Sequence, residues 1–184
     1  MSLGAALAAA LLAGAPVRAQ SYEHPREHWR IDFPAGWTKS DEPGLGTVAR
    51  APTGTARLTV EQSVVPASVR TAAAWERADA PRLRRRYGRV RVLLREAVAL
   101  RGVPGARVEF DYTDPTTGRP MRGWRMVLLT RGVVDVVSFE VADDDYDAAQ
   151  HAAEGSLKSF LPSFVRAPSQ PAASGGSVAN SSPP

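Results

Sequence analysis

Alternation of apolar and polar residues with a period of two marks strands that have one buried face. In the segment HWRIDF, the apolar residues Trp29, Ile31 and Phe33 alternate with Arg30 and Asp32. The same pattern recurs in four later segments: ARLTVEQSVV, RVRVLLRE, RVEFDY and GWRMVLLTR. These five segments predict strands that each place one face against a core.

A sixth segment, VVDVVSFEVA, is apolar at nearly every position. Such a run predicts a central strand that is covered on both faces. The connections between the last four strands are short, and DPTTGRP is rich in residues that form turns. Because short connections favour antiparallel neighbours, the sequence predicts an antiparallel sheet of about six strands.

Two other segments have the period of a helix. In SVRTAAAWERADAPRLRRRYG, the residues Trp75, Asp79, Leu83 and Tyr87 recur every four positions. Pro81 interrupts this pattern, so either the helix kinks there or a second short helix begins there. DDDYDAAQHAAEGSLKSFL has apolar residues at helical spacing after an acidic start, which suits a helix N-terminus. The fold class is therefore α+β, with two or three helices packed on the antiparallel sheet.

The chain opens with an uncharged run of mainly Ala and Leu between Leu3 and Ala15. A membrane span needs about 20 apolar residues, whereas the apolar part of a secretory signal peptide has about 7–15. We therefore predict a signal peptide over residues 1–19, with cleavage after Ala19. No Lys or Arg precedes the run, and a truncated membrane anchor that is retained is the alternative. Either segment predicts a secreted or periplasmic location.

The other end of the chain, residues 167–184, consists mainly of Pro, Ala, Ser and Gly without apolar periodicity. Such a segment buries too little apolar surface to offset chain entropy, so we predict a disordered tail. The predicted folded domain is residues 21–166.

Composition excludes several kinds of chemistry. The 184 residues include no Cys, which excludes disulfides, thiolate catalysis and sites with Cys ligands. The net charge is +4, and Lys39 and Lys158 are the only lysines among the 23 basic residues. This preference for Arg, together with abundant Ala, is typical of a bacterial gene rich in GC, so we do not take it as a sign of nucleic-acid binding.

One basic run is a candidate binding surface. Arg82, Arg84, Arg85 and Arg86 lie near the end of the first predicted helix, where they could contact an anionic partner. A solvated helix end is the alternative, since the helix dipole favours cations there. The charged residues on the strands that follow have a structural explanation. If these strands pair, Arg89, Arg91 and Arg95 share one face with Arg107, Glu109 and Asp111, where residues of opposite charge can form cross-strand ion pairs.

Catalytic and metal-binding patterns are weak. The chain has three His residues, which are scattered, and no Ser lies in a Gly-x-Ser-x-Gly elbow. Acidic residues after the last strand have the spacing of a calcium loop, but Ala148 stands where that loop requires Gly. We therefore predict no catalytic residues, no metal site and no cofactor.

The succession of segments resembles the PsbP-like family of extracytoplasmic domains. The resemblance covers most of residues 22–164 and is carried by these stretches in this order: IDFPAGW, APTGTARLTVEQ, AAAWERADAPRL, RGVPGARVEFDYTDPTTGRPMRGWRMVLLTRG and SLKSFLPSF. It implies an antiparallel sheet sandwiched by helices. Members include periplasmic proteins, lipoproteins and domains attached outside the membrane to bacterial kinases. The absence of Cys separates this chain from the lipoprotein members.

The resemblance implies a binding or assembly module that contacts a protein or an envelope component, and it does not imply an enzyme. The partner could be anionic, and membrane contact is expected only through an uncleaved N-terminus. The alternative is a carrier of a small ligand or an anionic lipid, with Trp75, Tyr112 and Trp124 lining a pocket between sheet and helix. A third hypothesis, a hydrolase, would need a His at the rim of a cleft.

Overall fold

The structure is a computed structural model that describes residues 19–66 and 68–163. The predicted signal peptide, apart from Ala19, and the predicted disordered tail lie outside these described residues.

Seven antiparallel strands form the main sheet, in the order β3-β4-β5-β9-β8-β7-β6. Their bounds are β3 Thr38–Glu42, β4 Gly46–Arg50, β5 Ala56–Val64, β6 Val90–Leu100, β7 Val103–Thr113, β8 Pro120–Thr130 and β9 Val133–Ala142. The apolar segment VVDVVSFEVA forms β9, the middle strand of the seven. This confirms its predicted central position.

The remaining elements are a second, two-stranded sheet and two helices. Strand β1 (Gln20–Glu23) pairs with β2 (Arg30–Phe33). Helix α1 spans Ala72–Tyr87, and helix α2 spans Tyr146–Ser159 after a short 3₁₀ turn at Asp143–Asp145. The α+β class, the antiparallel pairing and two of the predicted helices are confirmed.

The predicted number of strands is wrong, because the described residues contain nine strands instead of about six. The strands that the pattern missed are β1, β3 and β4. Strand β3 has the sequence TKSDE and no residue of it is buried, so hydrophobic alternation cannot reveal it. Strand β3 is held by backbone hydrogen bonds to β4, and such bonds leave no hydrophobic pattern in the sequence.

Helix α1 runs without a break through Pro81. Thr71 caps its N-terminus by accepting a hydrogen bond from the backbone N–H of Ala74 at 3.1 Å. Gly88 ends the helix with a φ of 72°, and its N–H donates to the carbonyl of Arg84. Because Pro81 is exposed, the helical carbonyl that it leaves without a donor can be hydrated. The structure thus contains one helix where the sequence left a kinked helix or two helices open.

Helix α2 and the small sheet cover one face of the main sheet. The alternation in HWRIDF is confirmed, since Trp29, Ile31 and Phe33 are all at most 1% exposed. Strand β2 is tied to the chain after α2 through paired backbone hydrogen bonds between Arg30 and Leu161. The largest apolar core of the described residues lies between these elements and the sheet. The opening aromatic segment is therefore part of the architecture.

Helix α1 covers the opposite face. Its residues Leu83 and Tyr87 pack against Val108, Phe110 and Tyr112 of β7. The main sheet is therefore the middle of three layers, with α1 on one side and α2 on the other. We call these sides the α1 face and the α2 face.

A β-bulge between Val92 and Leu94 corrects one prediction about the edge strand β6. Arg91 lies opposite Asp111 on the α2 face and is bound to it, as predicted. After the bulge, however, the faces are exchanged, because a bulge inserts one residue into the alternation. Arg95 therefore lies on the α1 face, where its Nε is 3.2 Å from Glu76 of α1.

Strand β8 gives a test of the packing. Gly123 lies between Phe110 of β7 and Glu140 of β9, and a β-carbon there would overlap the backbone carbonyl of Phe139. We expect Gly123→Ala to lower the free energy of unfolding by about 1–3 kcal/mol, because overpacking forces the backbone apart. Denaturant titration would measure it.

The matched control is Gly155→Ala in α2, where an added β-carbon meets nothing within 4 Å. Alanine is the better helix former, so this change should stabilise the protein by up to about 1 kcal/mol. Equal effects of the two substitutions would contradict the packing described for β8.

Candidate functional site

A buried carboxylate links helix α1 to the middle of the sheet. Glu140 of β9 is 1% exposed and lies opposite Arg57 of β5. Its Oε2 accepts from the guanidinium of Arg57 at 2.5 and 3.1 Å and from the hydroxyl of Tyr112 at 2.8 Å. Its Oε1 accepts from the hydroxyl of Tyr87, the last residue of α1. A buried charge persists only when it is paired in this way.

The charge of Glu140 changes the groups around it. Burial raises the pKa of Tyr87 and of Tyr112 far above the usual range, and the adjacent Glu140 raises both further. Burial lowers the pKa of Arg57, but Glu140 outweighs this effect and raises it overall. Both tyrosines are therefore neutral donors at all ordinary pH values, and the cluster is a fixed structural contact.

Two further acidic residues continue this polar layer along α1. Glu61 of β5 accepts from Arg82 at 2.7 Å and from Arg86 at 3.2 Å. Asp79 of α1 accepts from Arg82 at 2.8 Å and from the buried Arg125 of β8 at 2.9 Å. Arg82 and Arg86 thus point toward the sheet, where carboxylates neutralise them.

The predicted basic patch is divided by this arrangement. Arg84 and Arg85 are exposed on α1, and neither forms an ion pair with any described residue. Arg84 also borders a small cavity between α1 and the sheet. Arg77, seven positions before Arg84 and therefore on the same side of the helix, is also exposed. We call Arg77, Arg84 and Arg85 the outer arginine face. The sequence run placed four arginines together but did not include Arg77, which only the helical register reveals.

The three aromatic residues proposed to line a pocket do not share one. Trp124 is fully buried on the α2 face, beside Phe139. Tyr112 lies on the α1 face at Glu140, and Trp75 lies further along α1 beside the guanidinium of Arg125. Because Trp124 and Tyr112 belong to opposite faces of the sheet, they cannot line one cleft.

Two small pockets lie between α1 and the sheet. The more open one, lined by residues of α1, β6 and β7, has a volume of about 200 Å³. The other, lined by Leu83, Val90, Val108 and Phe110 among others, has a volume of about 40 Å³. That is room for one or two water molecules. A wider open groove of about 570 Å³ passes between β5 and the β3–β4 turn, and charged side chains line much of it.

Histidines and serines lie apart in the part of the chain that the structure describes. His24 stacks on Trp29 at a centroid distance of 5.1 Å, and His151 is exposed on α2. Ser138 is buried within β9, and Ser156 donates to a carbonyl of its own helix. Residues 19–66 and 68–163 contain no group of three or more His, Asp or Glu that could hold a metal ion. None of their helices is long and apolar enough to cross a membrane.

The α2 face contains one buried acid without a basic partner. Asp135 of β9 is fully buried, and its Oδ1 accepts from Gln62 at 2.7 Å. Burial raises its pKa to about 6, and the hydrogen bond from Gln62 offsets part of this rise. Asp135 is therefore a titratable group inside the core.

A family model shows which protein family the chain belongs to. The model described as "Serine/threonine kinase C-terminal domain" matches residues 21–162. The chain belongs to this family. Apart from Gln20 at the start of β1, the matched range contains all nine strands and both helices of the described residues. A search of curated proteins finds no match.

Solved structures confirm the PsbP-like resemblance for the fold. CyanoP, the PsbP of the cyanobacterium Synechocystis sp. PCC 6803, is 18% identical with a TM-score of 0.63, and the match covers 87% of this chain and 98% of CyanoP. LpqN of Mycobacterium tuberculosis, involved in cell envelope biogenesis, is 15% identical with a TM-score of 0.56 over 77% of this chain and 90% of LpqN.

A third similar structure is the Ran-binding protein Mog1p of Saccharomyces cerevisiae. It is 11% identical with a TM-score of 0.55, and the match covers 80% of this chain and 96% of Mog1p. At these identities the likeness concerns the fold alone. The fold is thus shared by proteins whose names refer to different partners and processes.

Asp135 gives a prediction on pH. The folded-state pKa of about 6 lies above the ordinary value of 3.8, so the native state binds more protons than the unfolded state. The contribution of Asp135 to stability should be largest below about pH 4 and should be lost as the pH rises through 6. At pH 7, Asp135→Asn should therefore raise the free energy of unfolding by up to about 3 kcal/mol.

Denaturant titrations of both proteins between pH 4 and 8 would measure this difference. The variant should lose the part of the pH dependence that lies between 4 and 6. An equal pH dependence in the two proteins would show that Asp135 is ionised in the folded state.

Proposed function

We propose that this domain is a non-catalytic binding module that docks an acidic protein surface on its outer arginine face, outside the cytoplasm. The observation that carries the proposal is the division of the arginines on α1. Arg82 and Arg86 are neutralised by Glu61 and Asp79, whereas Arg84 and Arg85 face solvent.

Two features make the outer arginine face suitable for a protein partner. Guanidinium groups bind carboxylates through two parallel hydrogen bonds, which gives geometric specificity. The helix is also held to the sheet by the hydrogen bond from Tyr87 to Glu140 and by the ion pair between Asp79 and Arg125, so its outer side is a rigid surface. Such preorganisation lowers the entropic cost of binding.

Two lines of support point to a location outside the cytoplasm. The sequence begins with an apolar run that fits a signal peptide. LpqN, which has the same fold, is named for cell envelope biogenesis. Mog1p has this fold and is named as a Ran-binding protein, so the fold also supports the general role of protein binding.

The carrier hypothesis has less support. A drug-sized ligand needs a pocket of about 300–1,000 Å³ with mostly apolar walls. The two pockets beside α1 have volumes of about 40 and 200 Å³, and the wider grooves, of about 400 and 570 Å³, are lined largely by charged side chains. A docking surface suits the geometry better than a ligand pocket.

Photocrosslinking in the native cell envelope tests the proposal. A photoreactive residue at Ala78, which is exposed on α1, would capture the bound partner. Arg84→Ser with Arg85→Ser should reduce the adduct about tenfold, equivalent to about 1.4 kcal/mol. The adduct should also weaken as salt rises, because exposed charges are screened.

The control is Arg26→Ser with Arg30→Ser, which removes the same charge from exposed positions at the start of β2 and in the segment before it. This variant should form the adduct as the unchanged protein does. An equal loss in both variants would mean that only net charge matters. An adduct unaffected by the loss of Arg84 and Arg85 would dismiss the outer arginine face.

A further inference from the structure

Among residues 19–66 and 68–163, strand β6 forms one edge of the main sheet and pairs only with β7. It is eleven residues long, and its outer backbone groups are open to another strand. Val92, Leu93 and Leu94, at its centre, are 38–42% exposed. The opposite edge, β3, has five residues with the polar sequence TKSDE. Proteins usually protect edges by shortness, charge or bulges. Strand β6 has a bulge and flanking charges, but it is long and leaves an apolar centre exposed.

The bulge gives β6 a symmetric order of faces. Val90 and Val92 precede it on the α1 face, and Arg95 and Ala97 follow it on the same face. Arg91 precedes it on the α2 face, opposite Asp111. Glu96 follows it on the α2 face, opposite Arg107. Outward from Leu93 and Leu94 in either direction, successive side chains therefore lie on the α1 face, then the α2 face, then the α1 face.

We propose that β6 pairs in antiparallel register with β6 of a second copy of this chain, about a two-fold axis at Leu93 and Leu94. A two-fold axis normal to a sheet keeps each face on its own side. Because of the bulge, the register that places Arg91 opposite Glu96 of the other copy also keeps both side chains on the α2 face. An unbulged strand would send them to opposite faces.

Charge complementarity supports this register. Arg107 and Glu96 are already neighbours across β7 and β6, as are Asp111 and Arg91. Pairing of the two copies places Glu96 beside Arg91 of the second copy, which makes a row of alternating charges across four strands. Glu96 is exposed and forms no ion pair with any described residue. Each cross-strand pair of opposite charge contributes about 0.2–1 kcal/mol.

The apolar centre adds to this contact. Leu93 and Leu94 of each copy meet at the axis, where pairing removes their side chains from water. The result is a continuous sheet in which the exposed apolar centre of β6 is covered. The outer arginine face adjoins β6, since Arg84 and Val92 line one pocket. The variants that test this contact change only β6, so its failure and that of the proposed function are distinguishable.

Sedimentation of the full chain at micromolar to millimolar concentrations tests the association. We expect a concentration-dependent dimer that Leu93→Lys converts to a monomer, because a lysine at the axis brings two charges together. The control is Val64→Lys. Val64 is 85% exposed at the end of β5, away from β6, so this variant should leave the dimer intact.

Disulfide formation tests the register, since the chain has no Cys of its own. Positions 91 and 96 of one strand are roughly 16 Å apart, too far for a bond within one copy. Arg91→Cys with Glu96→Cys should therefore give a covalent dimer on mild oxidation. Arg91→Cys with Val98→Cys places the thiols as diagonal neighbours and should react much more slowly.

Two results would overturn the proposal. One is that the chain stays monomeric at every concentration and that the variant with Cys at positions 91 and 96 forms no covalent dimer. The other is a dimer that Leu93→Lys leaves unchanged, since the contact would then lie elsewhere. Faster crosslinking of the 91 and 98 pair than of the 91 and 96 pair would contradict the register.

Discussion

The buried carboxylate of Glu140 is the contact on which the orientation of helix α1 depends. It joins Arg57 of β5 and Tyr112 of β7 to Tyr87, the last residue of the helix. Arg57 neutralises this charge from within the sheet, and Tyr87 supplies the hydrogen bond to the other carboxylate oxygen. A buried acceptor without a donor costs about 1–3 kcal/mol, which favours the rotation of α1 that brings Tyr87 to Glu140. Glu61 and Asp79 then fix the same rotation through Arg82 and Arg86.

This rotation gives the two sides of α1 different roles. The inner arginines are counterions of a buried acidic layer, and the outer ones are available to a partner. The sheet has a comparable difference between its edges, because β3 is short and polar whereas β6 is long and apolar at its centre. The proposed contacts of the domain therefore lie on the surfaces that its internal interactions leave unused.

The sequence predicted those elements whose side chains report burial. Alternation identified β2 and β5, and continuous apolarity identified β9. Strand β3 escaped because it is held by backbone pairing, and the bulge in β6 escaped because its extra residue has no distinctive side chain. Composition placed four arginines in one patch, but only the partners supplied by distant strands, Glu61 and Glu140, show which of them face inward. Likewise, spacing could not show that Trp124 and Tyr112 lie on opposite faces.

The free energy of unfolding of two double variants tests the account most directly. Arg82→Gln with Arg86→Gln leaves Glu61 without a basic partner beneath the helix, and we expect a loss of at least about 2 kcal/mol. Arg84→Gln with Arg85→Gln changes only exposed side chains and should stay within about 0.5 kcal/mol of the unchanged protein. Equal losses, or a larger loss from the second pair, would contradict the orientation of α1 on which both surfaces depend.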